Sequence, residues 1–431
     1  MTPCDPSRFG LSSVLSDLWG FFAERPVLRR IPYMFFLAGP FILLIERTPA
    51  DAWLSLCGLA FLVRSAKMRD WTWAKHVWVR SLLGFWLVCL ASALLSDIPA
   101  YSFGEALAWA RFPLFVMASA FWLAKDRRVF AAMVLMSIIG LMVMLGILTA
   151  EILSSETLPS RLSWPYDDVV SGAYLAKFGL FSFLVLLGVF FSSRGNVGLL
   201  AGMVAFAIVV MTLMTGERVS FVLLIGAGCL FTALTAKNFF KTAALLAAVG
   251  CILVAAFAFL PNLKHRYTVN FSNLIIDQDS GYHMVWRSGV EVFKTSPVIG
   301  IGPDSYRKLC PTIVGDNAAV RCHTHPHNFV IQILAETGVV GLCFYLLFVG
   351  SMITVCWRAG RKQKSDFLAV AGVVVPIAFF FPLQSNNDFF GQWINIFMWT
   401  SIAMAMASCQ PGRTQYDSCP SSASGTVKIK L

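Results

Sequence analysis

Runs of about 20 apolar residues recur along this chain, and short polar segments separate them. A helix of that length crosses the hydrocarbon layer of a bilayer, which is roughly 30 Å thick. Of the 431 residues, 57% are hydrophobic and only 13% are charged, whereas soluble proteins average about 25% charged residues. The pattern predicts an all-α polytopic membrane protein and excludes a soluble enzyme.

The apolar runs predict about twelve transmembrane helices, with one long loop between the ninth and the tenth. The first run is interrupted by Gly39-Pro40, and the second is short. The predicted spans are residues 31–46, 50–64, 80–97, 106–124, 129–150, 172–192, 196–214, 219–236, 240–260, 328–356, 367–384 and 391–408.

Basic residues concentrate in alternate loops, which is typical of the cytoplasmic side of a membrane protein. The opposite short loops carry only Arg47, Arg161 and Arg218. We therefore predict that both termini are cytoplasmic and that the long loop lies on the outer side. The net charge of +11 then reflects topology and does not indicate a nucleic-acid partner. The basic side receives Arg25, Arg29, Arg30, Arg64, Lys67, Arg69, Lys75, Arg80, Lys125, Arg127, Arg128, Arg194, Lys237, Lys241, Arg358, Arg361, Lys362 and Lys364.

Five regions follow from these spans. The N-terminal region, residues 1–30, shows no cleavable signal pattern. Its apolar residues fall roughly on one helical face, which favours an interfacial helix. The C-terminal region, residues 409–431, is rich in Ser, Pro and Gly, a composition typical of disorder. The regions are a cytoplasmic N-terminus (1–30), transmembrane helices 1–9 (31–260), a periplasmic loop domain (261–327), transmembrane helices 10–12 (328–408) and a disordered cytoplasmic tail (409–431).

The placement of the 11 cysteines bears on the long loop. Nearly all of them lie in the spans or on the cytoplasmic side, but Cys310 and Cys322 fall in the outer loop. A pair of cysteines in an oxidising compartment predicts a disulfide that closes a short loop. The alternative is two unpaired thiols near the membrane surface.

Two arginines on the outer side are candidates for binding an anionic group. Arg218 lies in the turn of residues 215–220 between two very apolar helices. It either anchors a helix end or binds an anion, because a guanidinium fork suits phosphate oxygens and keeps its charge. Arg287 lies beside Trp286 on a loop helix predicted over residues 282–294. Taken alone, an arginine on such an amphipathic helix is more often a solvated charge than a binding group.

Three histidines, His323, His325 and His327, alternate just before the tenth span. Zinc needs about four ligands, and no convincing further ligand set lies beside them, so we predict no metal site. The other interpretation is a general base, because imidazole titrates near neutrality. His327 is favoured, since Pro326 restricts the chain before it and Asn328 opens the helix behind it. His323 and His325 are predicted to be hydrated loop residues.

Asp388 completes the first rank of candidates, and Glu336 is a further carboxylate deeper in the membrane. Asp388, between the last two spans, could pair with an arginine, orient a histidine or bind a sugar hydroxyl. Glu336 lies about two turns inside the tenth span, where a carboxylate needs a partner unless it stays protonated. The second rank comprises Glu217, Arg266 and Arg111.

The second half of the chain resembles a known family. His327-Asn328, followed after nine residues by Gly338 and then Gly341, resembles the signature of bacterial O-antigen ligases. Residues 215–221 are similar to the arginine turn shared by O-antigen ligases and polymerases. Trp286-Arg287 and residues 296–303 resemble the outer-loop helix of the family and its Pro-x-x-Gly-x-Gly turn. The first half is recognisable only as membrane spans.

The resemblance implies a GT-C-like glycosyltransferase of the bacterial inner membrane, with its active site facing the periplasm. Such an enzyme transfers O-antigen from undecaprenyl diphosphate to lipid A–core and uses no cofactor or metal. Carried over by residue, Arg218 and Arg287 bind the diphosphate, His327 is the base, and Asp388 matches an acidic position before the last span. Arg266 remains an alternative to Arg287.

Other functions stay open beside this one. His325 competes with His327 as the base if the tenth span starts elsewhere. An O-antigen polymerase or a protein O-oligosaccharyltransferase would use the same donor with another acceptor. A flippase or transporter of lipid-linked glycans would need charges along a central path. Only Arg111, Lys177 and Glu336 lie deeper than the outer face, which disfavours transport.

Overall fold

The computed structural model describes residues 11–156, 161–167, 170–193, 195–235, 239–259, 264–265, 267–268, 280–362, 367–382 and 387–410. Within these ranges the chain forms helices joined by turns, and no β-strand occurs among them. The predicted all-α class is confirmed for this part of the chain.

The first eight helices cover the chain up to residue 154. They are α1 (Leu11–Ala23), α2 (Val27–Leu37), α3 (Gly39–Ile42), α4 (Arg47–Met68), α5 (Val77–Leu94), α6 (Pro99–Trp109), α7 (Arg111–Ala118) and α8 (Arg127–Ser154). A π-helical turn, Ser119–Leu123, extends α7. Helix α1 packs along α8 with Phe21 buried and Trp19 exposed, so it has one apolar face on the bundle.

The remaining helices follow after a loop. They are α9 (Ser171–Ala173), α10 (Leu180–Ser192), α11 (Asn196–Met214), α12 (Arg218–Thr235), α13 (Phe239–Phe259), α14 (Gly281–Thr295), α15 (Tyr306–Val314), α16 (Phe329–Lys362), α17 (Phe367–Phe379) and α18 (Trp393–Ser408). A π-helical turn, Tyr174–Phe178, joins α9 to α10.

Several of these helices can cross a membrane. In the described ranges, six helical stretches are long and apolar enough to cross a membrane. The number is seven if the bent pair Ser171–Phe178 and Leu180–Ser192 counts as one span. The six are Val77–Leu94, Pro99–Leu123, Arg127–Ser154, Asn196–Met214, Arg218–Thr235 and Phe329–Arg361. The structure thus shows a multi-pass arrangement, and the count of twelve spans stays a prediction.

The first predicted span, residues 31–46, is not one helix. Helix α2 ends at Leu37 and α3 begins at Gly39, since Pro40 has no backbone N–H to continue the helical ladder. The Trp53 ring of α4 lies against Gly39, where an added Cβ would be 2.0 Å from a ring carbon. The close packing of α4 on this break therefore requires the glycine.

The tenth predicted span, residues 328–356, is also interrupted. At Gly338 the backbone of α16 has φ 65° and ψ −170°, a conformation essentially restricted to glycine. The turn that follows α14 fits into this break. The Ile301 N–H donates to the Ala335 carbonyl at 3.0 Å, and the Val339 N–H donates to the Pro297 carbonyl at 2.9 Å. The turn and the broken helix therefore form one unit.

Helix α18 lies at the centre of the bundle. It is buried from Asn395 to Ser408 and packs against α17 and α7, with Trp399 in ring contact with Trp109 at 5.7 Å between centroids. Cys409 and Gln410 are buried as well, because they continue the packed end of α18. The predicted disordered tail therefore does not begin at residue 409, and residues 411–431 lie outside the described residues.

Candidate active site

Residues 280–328, called the loop segment below, fold onto α16 around a small core. That core comprises Val292, Ile301, Tyr306, Cys310 and Ala335. A disulfide joins Cys310 to Cys322, with their Cα atoms 5.8 Å apart, and links the middle of α15 to the chain before the histidines. The hydroxyls of Ser288 and Tyr306 share a hydrogen bond of 2.6 Å. The loop segment is therefore a compact support for the histidines.

The three histidines lie together at the end of the loop segment. The ring centroid of His327 is 4.1 Å from that of His325 and 4.7 Å from that of His323. The Tyr282 ring, at the start of α14, lies 5.3 Å from His327. His323 is exposed, as expected, but His325 is only 8% exposed. The prediction of a hydrated His325 was wrong, because the His327 ring lies against it.

An unusual backbone angle and a helix cap fix the backbone around His327. His327 has a φ of 54°, which is uncommon for a residue with a side chain. The Asn328 side-chain oxygen accepts hydrogen bonds from the Val330 N–H at 2.9 Å and the Ile331 N–H at 3.2 Å. Asn328 thus caps the first turn of α16. Its supporting role is to fix the chain directly after His327.

Helix α14 brings Arg287 to the same part of the loop segment. An added Cβ at Gly289 would be 2.4 Å from Ile331 and 3.2 Å from Pro326, so α14 packs closely on the chain that carries His327. Arg287 lies two residues before this contact and is partly buried. The structure therefore brings the helix of Arg287 and the histidines together.

Arg218, which lies within the predicted turn of residues 215–220, is the first residue of α12. Gly216 has a φ of 68°, which favours glycine. The neighbouring Glu217 is buried, and its carboxylate accepts a hydrogen bond from the Ser220 hydroxyl at 2.7 Å. Arg218 itself is partly exposed. Convergence of Arg218 with Arg287 and His327 on one cavity stays a prediction.

Asp388 belongs to a network that the sequence did not predict. Its carboxylate forms an ion pair with Arg307 on α15 and accepts a hydrogen bond from the Gln332 side chain at 2.6 Å. Gln332 also donates to Glu336 at 3.1 Å, and the Tyr306 N–H donates to Glu336 at 3.0 Å. Of the three roles considered for Asp388, pairing with an arginine is the one observed, and Glu336 has its partners.

Asp304 and Arg307 are the residues that sequence reasoning missed. Asp304 accepts a hydrogen bond from the Tyr101 hydroxyl and lies 2.9 Å from the Arg307 guanidinium. Burial raises the pKa of Asp304 to about 7, and the negative charge of Asp388 adds to the rise, while Tyr101 and Arg307 oppose it. The available signal was Asp-x-x-Arg directly after the glycine turn, a spacing that pairs side chains across one helical turn.

The other second-rank candidates have different positions. The Arg111 side chain donates to Asp51 at 3.0 Å and so ties α7 to α4. Arg266 lies outside the described residues. Across the described ranges, no group of three or more His, Cys, Asp and Glu side chains is arranged to hold a metal ion.

A comparison with protein families matches part of the chain that carries these candidate residues. Residues 202–346 match the family model described as O-antigen ligase. The matched segment contains Arg218, Arg287 and His327, and also the glycine break of α16. A comparison with curated proteins found no match. The family match agrees with the resemblance found from the motifs, and for residues 202–346 it supports membership of the O-antigen ligase family.

Proposed function

We propose that the protein is an O-antigen ligase of the bacterial inner membrane. Its donor is O-antigen linked to undecaprenyl diphosphate, and its acceptor is lipid A–core. The loop segment faces the periplasm in this proposal, with both termini in the cytoplasm and about twelve spans in a GT-C-like arrangement. One observation carries the proposal: His327 packs against the helix that bears Arg287, inside the family-matched domain.

The proposed reaction is a single displacement. A hydroxyl of the acceptor sugar attacks the anomeric carbon of the glycan, and His327 accepts the hydroxyl proton. A carbon–oxygen bond forms to the acceptor while the bond from the anomeric carbon to the diphosphate oxygen breaks. Arg218 and Arg287 stabilise the charge that develops on the departing diphosphate. Attack from the opposite face inverts the anomeric centre, and the scheme needs no metal or cofactor.

In vitro transfer with the purified protein tests this proposal. The assay contains undecaprenyl diphosphate-linked glycan, lipid A–core and a chelator. We expect glycan-bearing lipid A–core with an inverted linkage. A retained linkage would rule out the single displacement, and a need for added metal would rule out the metal-free scheme.

The same assay separates the alternatives. Growth of the donor glycan without transfer to lipid A–core would assign the protein as an O-antigen polymerase. Transfer to a protein acceptor would assign it as an O-oligosaccharyltransferase. Movement of the lipid-linked glycan across proteoliposome membranes without any new glycosidic bond would assign it as a flippase.

A further inference from the structure

The bent span formed by α9, its π-helical turn and α10 contains a fully buried lysine. Its two halves, Ser171–Phe178 and Leu180–Ser192, meet at an angle of 56°. Lys177 lies in the π-helical turn just before the bend and has 0% exposure. An ammonium group without access to water is costly unless an opposite charge compensates it. From the sequence alone, Lys177 is a deep charge without an assigned role.

The π-helical turn and α9 before it both pack against α11 and α12, the two helices that flank the arginine turn. The approach is close at Gly172, where an added Cβ would be 2.6 Å from the Thr215 hydroxyl oxygen and 3.0 Å from side-chain carbons of Glu217. Only a residue without a side chain allows this contact. This contact of α9, together with the packing of the π-helical turn on α12, places Lys177 on the side of the turn that carries Glu217.

Glu217 is the negative group that acts on Lys177. Its carboxylate is buried, with 6% exposure. The π-helical turn that carries Lys177 packs against α12, which begins directly after Glu217, so the negative charge of Glu217 attracts the Lys177 ammonium. The Ser220 hydroxyl donates a further hydrogen bond to it. A buried carboxylate that attracts a cation and accepts a hydroxyl hydrogen bond is electrically compensated within the bundle.

Arg218 follows Glu217 directly in the chain. An uncompensated Glu217 carboxylate would be an immediate acceptor for the neighbouring guanidinium, because charge-assisted hydrogen bonds between these groups are strong. Arg218 would then be drawn toward the protein interior. A guanidinium already paired with a carboxylate offers less charge to an external phosphate.

We propose that Lys177 is a positioning residue: by compensating Glu217 it leaves the Arg218 guanidinium available to a phosphate group of a bound lipid diphosphate. This inference rests on the proposed function, since it takes the anion at Arg218 to be the donor diphosphate. Lys177 itself does not contact the donor. It acts through Glu217 and Arg218.

The test measures equilibrium binding of undecaprenyl diphosphate to the purified full-length protein, together with KM and kcat for transfer. We expect Lys177→Met to weaken binding and raise the donor KM by about tenfold or more, with little change in kcat at saturating donor. The matched control is Lys241→Met. Lys241 donates to the carbonyls of Phe190 and Ser193 near the far end of α10, and its loss should leave the donor KM unchanged.

A double variant separates positioning from simple support of the fold. Lys177→Met with Glu217→Gln removes the carboxylate that would capture Arg218, so donor affinity should recover most of the loss. Binding by Lys177→Met equal to that of Lys241→Met would overturn the inference, and so would a double variant as weak as Lys177→Met. If Lys177→Met does not fold, Lys177→Gln, which keeps a hydrogen-bond donor without charge, should show the same loss.

The two proposals fail in different ways. A wild-type protein that binds undecaprenyl diphosphate but transfers no glycan would contradict the proposed function, and the binding measurements would still decide the role of Lys177. A wild-type protein that does not bind undecaprenyl diphosphate would overturn both the donor assignment and this inference.

Discussion

His327 is held by three features of its surroundings. Its backbone has a left-handed φ, Asn328 caps the helix that starts directly after it, and the rings of His325 and Tyr282 lie beside it. A general base must keep its nitrogen within hydrogen-bond reach of the proton that it accepts. These contacts restrict the imidazole to one region, which suits that task.

We expect His327→Ala to lower transfer by about 10²–10⁴-fold, the typical contribution of general acid–base catalysis. Its melting temperature in detergent should stay close to that of the wild type. The in vitro transfer assay measures the effect. His76→Ala is the control, since that ring packs on Phe121 before α5, and it should transfer normally. Normal transfer by His327→Ala would remove His327 from the mechanism.

Asp304 makes stability depend on pH. The pKa of its carboxyl is raised from 3.8 to about 7 in the folded protein. Between these pH values the folded state therefore binds a proton that the unfolded chain does not, and stability falls as pH rises through this window. We expect the melting temperature of Asp304→Asn to fall less than that of the wild type between pH 5 and pH 8 (an interval of about three units). Parallel curves for the two proteins would contradict this expectation.

At the scale of elements, the loop segment and α16 depend on each other. An added Cβ at Gly338 would be 2.3 Å from the backbone of Val298, and one at Gly300 would be 2.3 Å from the backbone of Glu336. Two backbones meet where neither can carry a side chain. Gly338 was recognised from the sequence as part of a motif, but the break was not predicted, since the apolar run continues through it.

Gly338→Ala should destabilise the protein by about 2 kcal/mol or more. Strain at a glycine-only conformation costs about 1–3 kcal/mol, and the overlap with Val298 adds to it. Gly350→Ala in the same helix is the matched control, since no atom lies within 4 Å of an added Cβ there. That change should be neutral or slightly stabilising. Equal melting temperatures for the two variants would show that the break does not depend on Gly338.

At the scale of the whole molecule, the distribution of basic residues predicts the orientation in the membrane. A C-terminal green fluorescent protein should fluoresce, and a C-terminal alkaline phosphatase should be inactive, because the positive-inside rule places that terminus in the cytoplasm. A phosphatase inserted after Gly315, at the exposed end of α15, should be active. The opposite pattern would place the histidines in the cytoplasm and exclude the proposed donor and acceptor.

Composition and the order of apolar runs by themselves determined that this chain is an all-α membrane protein, because the cost of burying charges and open backbone in lipid acts on every span separately. Local motifs also identified the arginine turn and the histidines. Only the tertiary structure decided which groups meet. Arg307 and Asp388 are 81 residues apart. Lys177 lies in the π-helical turn before α10, and Glu217 lies in the turn before α12. Such pairs form through the packing of distant helices, and neither hydropathy nor spacing along the chain encodes them.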